Sequence, residues 1–310
     1  MILQALCQYY DRKGEHADTA LATFGFEDKA IPFVIILDKY GQFISLADQR
    51  EIEGKKLVAK VFLVPKTKGR SGARSYEISN CLWDHYGYVL GQPKVDKPDS
   101  KPAVPEIEMA QKQHASFKVV VKKIHDELPE DSGVEAVWRF LNSNKEIESV
   151  KQSDLWVEVL KVKGCNLGFR VAGQTDLVCQ TPSVIDWIKG QPIADSDAKA
   201  GICLVSGESS LVSRLHSQVS GVNQKPAPLA SINEPAYSSY GKTKGYNFPV
   251  SVDADFKYTT ALSYLFRKAS DTKFRLNDTS YVCWGEHDSG SVLESNFAGF
   301  FVDTENDPDK

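Results

Sequence analysis

The chain has 310 residues, of which 42% are hydrophobic and 25% are charged, and its formal net charge is −4 at pH 7. These values are ordinary for a soluble globular protein of one or two domains. No stretch is long and apolar enough to predict a membrane span, and the N-terminal residues turn polar too soon for a signal peptide.

The residues 1–13 predict a short amphipathic helix, because their apolar side chains recur at helical spacing. The stretch 32–48 predicts a β-hairpin with its turn at Lys39-Tyr40-Gly41. Residues 56–65 predict a strand that ends at Pro65, and a basic loop follows it. Four prolines between residues 92 and 105 predict a linker or a long surface excursion.

The second half of the chain mixes predicted helices and strands. A helix is expected from Glu106 to Leu128, and another over 253–269 with Asp253 as its N-cap. The other predicted elements are helices at 133–142 and 182–190 and strands at 154–162, 167–173, 201–207 and 279–286. Because regular β-α-β alternation is missing, we expect an α+β fold with mixed, largely antiparallel sheets and flanking helices.

These elements suggest four regions. They are a β-rich N-terminal region over 1–91 with the basic loop, the linker or surface excursion over 92–105, an α+β region over 106–285 with polar loops, and an acidic, flexible tail over 286–310. The six cysteines are scattered without C-x-x-C pairs, so we expect neither disulfides nor zinc, and a cytoplasmic location.

The end of the stretch AYSSYGKT (236–243) resembles the close of a nucleotide-binding loop, G-x-x-x-x-G-K-[ST]. That motif needs a first glycine and a helix that begins at the lysine and points its N-terminus at the phosphate. Here Ala236 stands at the first glycine, and Gly245 and Pro249 oppose a helix at Lys242. We therefore expect no ATP site.

Catalytic signatures are sparse. His114 lies on the apolar face of a predicted helix and is expected to be a core or boundary residue. Cys203 is expected to be a buried strand cysteine, because no base partner can be located. The sequence predicts no catalytic residue, no metal site and no cofactor, although a metal-dependent nuclease or nucleotide hydrolase that uses Asp253 and Asp255 is kept as an alternative.

Three acid-free, glycine-bearing segments point instead to a polyanion. Between Glu53 and Glu77 there are seven bases and no acid. A second such segment spans 213–233 and a third lies around 241–248. The candidate binding residues are Lys66, Lys68, Arg70, Ser71, Gly72, Arg74, Asn80, Arg214, His216, Gln218, Asn223, Gln224, Lys225, Lys242, Lys244 and Tyr246.

These residue types suggest a division of labour. Cations in a glycine-containing loop suit phosphate oxygens, which position a protein on DNA. Amides such as Asn80, Gln218, Asn223 and Gln224 both donate and accept, and so can read base edges. A protein scaffold whose basic loops bind an acidic partner is a further alternative.

Several long motifs resemble one family. MILQALCQYYDR, IPFVIILDKYGQF, NCLWDHYGYVLG, SRLHSQVSGV and SYGKTKGYNFPVS are similar, in this order, to the large subunit of the type I-C CRISPR interference complex (Cascade). The resemblance runs from residue 1 to about residue 285.

The resemblance implies a non-enzymatic protein of antiviral defence. It implies binding of double-stranded target DNA at the protospacer-adjacent motif (PAM), with the remaining specificity left to the crRNA. It also implies support for R-loop formation, recruitment of a helicase-nuclease, and assembly with backbone and crRNA-end-binding subunits, away from membranes. Relatives continue into a helical C-terminal region, so this sequence is expected to be a truncated form or a fragment.

Overall fold

The computed structural model describes residues 2–14, 21–54, 56–67, 70, 73–98, 100–191, 198–222, 226–232, 234–267, 270–286 and 291–301. The chain forms two compact units. The continuous unit is Gly25–Gln191, and the split unit combines Met1–Phe24 with Pro192–Lys310.

A four-stranded mixed sheet forms the centre of the continuous unit. Its strand order is β3 (Phe43–Asp48), β2 (Phe33–Leu37), β8 (Asn166–Val171) and β7 (Trp83–His85). β2 runs parallel to β8, whereas β3 and β7 are antiparallel to their neighbours. β2 reads FVIIL and is buried at all but one position, as expected for a strand covered on both faces.

Two further antiparallel pairs belong to this unit. β1 (Phe26–Ala30) pairs with β6 (Val61–Pro65), and β4 (Arg50–Glu53) pairs with β5 (Lys56–Ala59). The helices of the unit are α2 (Tyr86–Leu90), α3 (Val104–Glu127), α4 (Ser132–Leu141), α5 (Asn144–Lys151), α6 (Trp156–Lys161) and α7 (Pro182–Gly190).

The helices cover the central sheet with their apolar faces. α3 begins with Pro105 in its first turn and buries Phe117, Val121 and Ile124 at helical spacing. The ring of Phe117 stacks on Phe169 of β8, with ring centroids 6.4 Å apart. This contact ties the longest helix to the sheet.

The split unit is built on two helices that are distant in sequence. α1 (Ile2–Gly14) packs against α8 (Val252–Leu265), and Leu6, Tyr9 and Tyr258 belong to their shared core. The described unit also contains α9 (Ser291–Gly299), two short 3-10 helices (Pro235–Tyr237 and Lys244–Asn247), and the antiparallel pairs β9 (Lys199–Ile202) with β10 (Ser209–Val212), β11 (Gln218–Val219) with β12 (Ala227–Pro228), and β13 (Lys273–Leu276) with β14 (Thr279–Val282).

The α+β class and the largely antiparallel sheets are confirmed. The division into units differs from the predicted boundaries at 91 and 105, because α2 and α3 pack together across the proline-rich stretch. Most of the predicted acidic tail, at 287–290 and 302–310, lies outside the described residues.

Three local predictions are corrected. The strand expected at 154–162 is largely the helix α6, since Trp156 and Val159 are buried three residues apart. The strand expected at 56–65 is divided at Lys60 between β5 and β6. The helix expected over 253–269 is capped by Ser251, whose hydroxyl accepts from the N–H of Ala254 at 3.1 Å, and not by Asp253.

Candidate nucleic-acid interface

Two of the three acid-free segments meet in the split unit. The N–H of Gly245 donates to the carbonyl of Arg214 at 2.9 Å. His216 Nε2 lies 3.1 Å from the carbonyl oxygen of Phe248, and because that oxygen only accepts, Nε2 carries the proton. Residues 242–248 therefore lie against residues 213–216.

Glycine at position 245 makes this contact possible. A Cβ there would lie 2.6 Å from Ser213 O and 2.7 Å from Arg214 O, both backbone atoms. Any larger residue would push the two segments apart, so this glycine serves close backbone approach.

The first turn of α8 contacts the second acid-free segment at Ser217. Asp255 is 3% exposed, and its two carboxylate oxygens accept the N–H of Ser217 at 3.1 and 3.0 Å. Asp253 has a different partner, Lys257, at 3.0 Å. The two aspartates considered for a metal site are thus held by separate structural contacts. Within the described ranges, no three or more His, Cys, Asp or Glu side chains are grouped to hold a metal ion.

Cys203 is fully buried beside this turn. Its Sγ accepts the N–H of Ser251 at 3.2 Å and that of Val205 at 3.4 Å. Burial acts to raise the pKa of the thiol, but hydrogen bonds from Ser251 and Ser206 outweigh it and lower the pKa to about 7. The predicted burial of Cys203 is confirmed, but the predicted strand at 201–207 is wrong beyond Ile202, where β9 ends, so Cys203 lies just after the strand.

One amide holds the loop from Ser239 to Asn247, which we call the lysine loop. Asn247 Oδ1 accepts the N–H of Ser239 at 2.9 Å, and Nδ2 donates to the carbonyls of Lys242 and Lys244 at 2.8 and 3.2 Å. Because these bonds engage only the backbone of the loop, both lysine side chains stay exposed. Neither lysine forms an ion pair with a described residue.

The apex of the lysine loop has a left-handed backbone. The φ angles are 52° at Tyr240, 68° at Gly241 and 50° at Lys244. Glycine adopts this region freely, whereas the other two residues each cost roughly 1–2 kcal/mol there. Tyr240 is also 99% exposed, so no packing of its ring offsets that cost.

Lys199 adds a cation that sequence reasoning missed. It begins β9 opposite Val212 of β10, and its ammonium lies 4.9 Å from the centre of the Tyr246 ring. A cation over an aromatic face is stabilising. The pairing of β9 with β10 brings Lys199 to this site, and no local sequence pattern predicts that pairing. Gln218 is exposed in β11 on the same unit.

The third segment, the basic loop after β6, lies in the continuous unit. Its Arg70 forks onto Asp84: Nη1 lies 3.0 Å from Oδ1, and Nη2 pairs with Oδ2. Arg70 Nε donates to the carbonyl of Ile78 at 2.7 Å, and the guanidinium lies 4.2 Å from the centre of the Tyr88 ring. An ion pair, a backbone hydrogen bond and a ring contact therefore hold this guanidinium within the protein, and its side chain is 23% exposed.

The other described candidates of this loop differ in exposure. The side chain of Arg74 is 79% exposed and pairs with Glu77 at 2.8 Å. Lys66 is half-buried, and its N–H donates to the carbonyl of Gly25 at 2.8 Å. Asn80 is only 4% exposed, and its N–H donates to Asp84 at 2.9 Å.

These positions change the expected roles. Arg70 contacts Asp84 through its side chain and Asn80 contacts it through its backbone N–H, and the side chain of Asn80 is buried. That these two residues contact DNA stays a prediction. His216 is likewise buried and supports the lysine loop. The described candidates that present exposed polar groups are Arg74, Gln218, Lys242 and Lys244. The candidates that lie outside the described residues are Lys68, Ser71, Gly72, Asn223, Gln224 and Lys225.

Comparison with known proteins gives the family. No helix of the described ranges has the combined length and apolarity of a membrane span. No curated protein matches the sequence. The family described as CRISPR-associated protein (Cas_Csd1) matches residues 6–310. Since that match covers nearly the whole sequence, the chain belongs to the CRISPR-associated Cas_Csd1 family and has a CRISPR-associated function.

Proposed function

We propose that this chain is the DNA-binding large subunit of a type I-C crRNA-guided interference complex. In this role it recognises the PAM in duplex DNA, supports R-loop formation, and takes part in recruiting the helicase-nuclease. Family membership and the resemblance of the long motifs support the proposal. This role requires no catalytic activity of the chain itself.

The convergence of two acid-free segments in the split unit carries the proposal. Lys242 and Lys244 are exposed on a loop whose backbone is fixed by Asn247, and Lys199 lies beside them over Tyr246. The exposed ammonium groups can bind phosphate oxygens. Because the loop backbone is already fixed, little conformational entropy is lost when they do so. Exposed Gln218 supplies a donor and an acceptor on the same unit.

Assembly and DNA recognition are tested together. The tagged chain is co-expressed with the remaining proteins of its CRISPR operon and a crRNA, purified, and probed with duplexes that carry or lack the motif. We expect crRNA to co-purify and the motif duplex to bind more tightly, with affinity that falls steeply with salt. The proposal is contradicted if the chain purifies without crRNA or if the assembled complex binds neither duplex.

A further inference from the structure

Tyr240 lies on a strained backbone, and its exposed ring makes no packing contact with the described residues that would offset the free-energy cost of that strain. It is 99% exposed and has a φ of 52°, a backbone region that side chains other than glycine rarely adopt. A tyrosine that merely filled a surface turn would be replaced by glycine or asparagine without penalty at such an angle. Strain of this kind at an exposed loop is a common feature of ligand contacts.

The lysine loop holds this ring in a fixed place. Asn247 binds the backbone at Ser239, Lys242 and Lys244, and Ser239 and Lys242 form an antiparallel bridge around the apex. Gly245 ties the base of the loop to Arg214. The ring is therefore presented in advance, and little conformational entropy remains to be lost on binding.

The surrounding charge identifies the ligand. Residues 235–252 contain Lys242 and Lys244 and no acid. An exposed aromatic ring next to cations is the arrangement by which proteins bind unpaired nucleotides, with the ring against a base and the cations on the phosphates. Stacking accepts any base, since every base has a π-face.

We propose that Tyr240 stacks on an unpaired or helix-end base of the bound nucleic acid while Lys242 and Lys244 hold the neighbouring phosphates. The inference rests on the proposed function, because it requires a nucleic-acid ligand. It adds a base-contacting residue that acts through stacking and not through hydrogen bonds to a base edge. Its preference is accordingly for an open DNA end or junction, and not for a sequence.

The test compares a forked duplex, carrying 2-aminopurine at the first unpaired position, with the same duplex fully paired. The full chain is titrated in its wild-type form and as Tyr240→Ala, Tyr240→Gly and Tyr240→Phe. Tyr240→Gly removes the ring and suits the left-handed backbone, so agreement between the Ala and Gly variants assigns the effect to the ring. Tyr237→Ala is the matched control, since Tyr237 is exposed in the same region without a left-handed φ.

We expect the Ala and Gly variants to bind the forked DNA about 5- to 140-fold more weakly, the range for one lost base–aromatic stack. They lose the 2-aminopurine quench, while Tyr240→Phe and Tyr237→Ala retain both binding and quench. The salt slope stays that of the wild type, because no phosphate contact is removed.

Two failures are distinguishable. Wild-type binding with unchanged affinity and quench in Tyr240→Ala and Tyr240→Gly overturns this inference alone. A wild-type chain that binds neither DNA, free or assembled, overturns the proposed function and this inference with it. Thermal unfolding confirms that the variants are folded, as the exposure of Tyr240 leads us to expect.

Discussion

Arg70 and Asp84 form a part-buried fork that anchors the basic loop to β7. Asp84 is 1% exposed, and it also accepts the N–H groups of Asn80 at 2.9 Å and His85 at 2.8 Å. The carboxylate thus satisfies one charge and two backbone donors at the start of β7. Arg70, a cation of the acid-free segment, is thus held by a buried acid of β7.

Removing that carboxylate should destabilise the protein strongly. Asp84→Asn leaves Arg70 unpaired and weakens the acceptor of two buried donors, so we expect a loss of about 2–4 kcal/mol in the free energy of unfolding, measured in urea. Glu77→Gln breaks the exposed pair with Arg74 and should cost about 0–1 kcal/mol. Equal effects of the two variants would mean that the Arg70–Asp84 fork contributes no more than a surface pair.

Gly245→Ala should displace the lysine loop. The added Cβ would meet two backbone carbonyls, which cannot rotate away, and overpacking of this kind typically costs about 1–3 kcal/mol. We expect a lower unfolding temperature and weaker DNA binding. The matched control is Gly190→Ala, where a Cβ meets nothing within 4 Å. If Gly245→Ala binds and melts like the wild type, the contact with Arg214 does not position the loop.

Cys203 should make stability depend on pH. The folded pKa of about 7 lies below the ordinary value of 9.0, so the folded state binds the proton less tightly than the unfolded state. Its contribution is therefore complete above pH 9 and is lost as the pH falls through about 7. Urea unfolding at a series of pH values should show a rise between these limits that Cys203→Ala flattens.

The control for this effect is Cys179→Ala. Burial raises the pKa of the Cys179 thiol, so it stays protonated across the same window. A variant at this position changes stability by removing packing but should leave the pH dependence in place. If Cys203→Ala keeps the rise, another group is its source.

Sequence patterns predicted the elements whose apolar spacing decides their structure. The hairpin of β2 and β3, the helix α3 and the helix α7 follow from such spacing. The segment 154–162 predicts a strand because its branched residues at 157 and 159 alternate, and only the packing of Trp156 and Val159 on the core selects the helical period of α6. Local propensity was overridden by tertiary contacts.

The candidate site was predictable in composition but not in geometry. Acid-free segments located the lysine loop and residues 213–216, since charge and glycine content are visible in the sequence. That Arg70 pairs with Asp84 fourteen residues later, and that Lys199 reaches Tyr246, depends on strand and loop placement. Exposed and ion-paired cations look alike in a sequence.

Lys242 and Lys244 should contribute to affinity without discrimination. The double variant Lys242→Ala/Lys244→Ala removes up to two phosphate contacts, so we expect weaker binding to motif and scrambled duplexes alike. The slope of log K against log salt should become shallower by up to about 1.8. The matched control is Lys145→Ala/Lys189→Ala, two exposed lysines of the continuous unit. An equal loss in the control would indicate an effect of total charge only.

Gln218 should contribute to discrimination. Its amide is exposed in β11 and can donate and accept at a base edge, so Gln218→Ala should cost roughly 1–3 kcal/mol on the motif duplex and little on a scrambled one. The salt slope should not change, because an amide neutralises no phosphate. The same test applies to Asn223→Ala and Gln224→Ala, whereas Asn80→Ala should affect stability first, since Asn80 is buried. Binding curves on both duplexes for each variant decide the point. If Gln218→Ala, Asn223→Ala and Gln224→Ala all lose affinity equally on both duplexes, these amides hold the backbone and the motif is read by other residues.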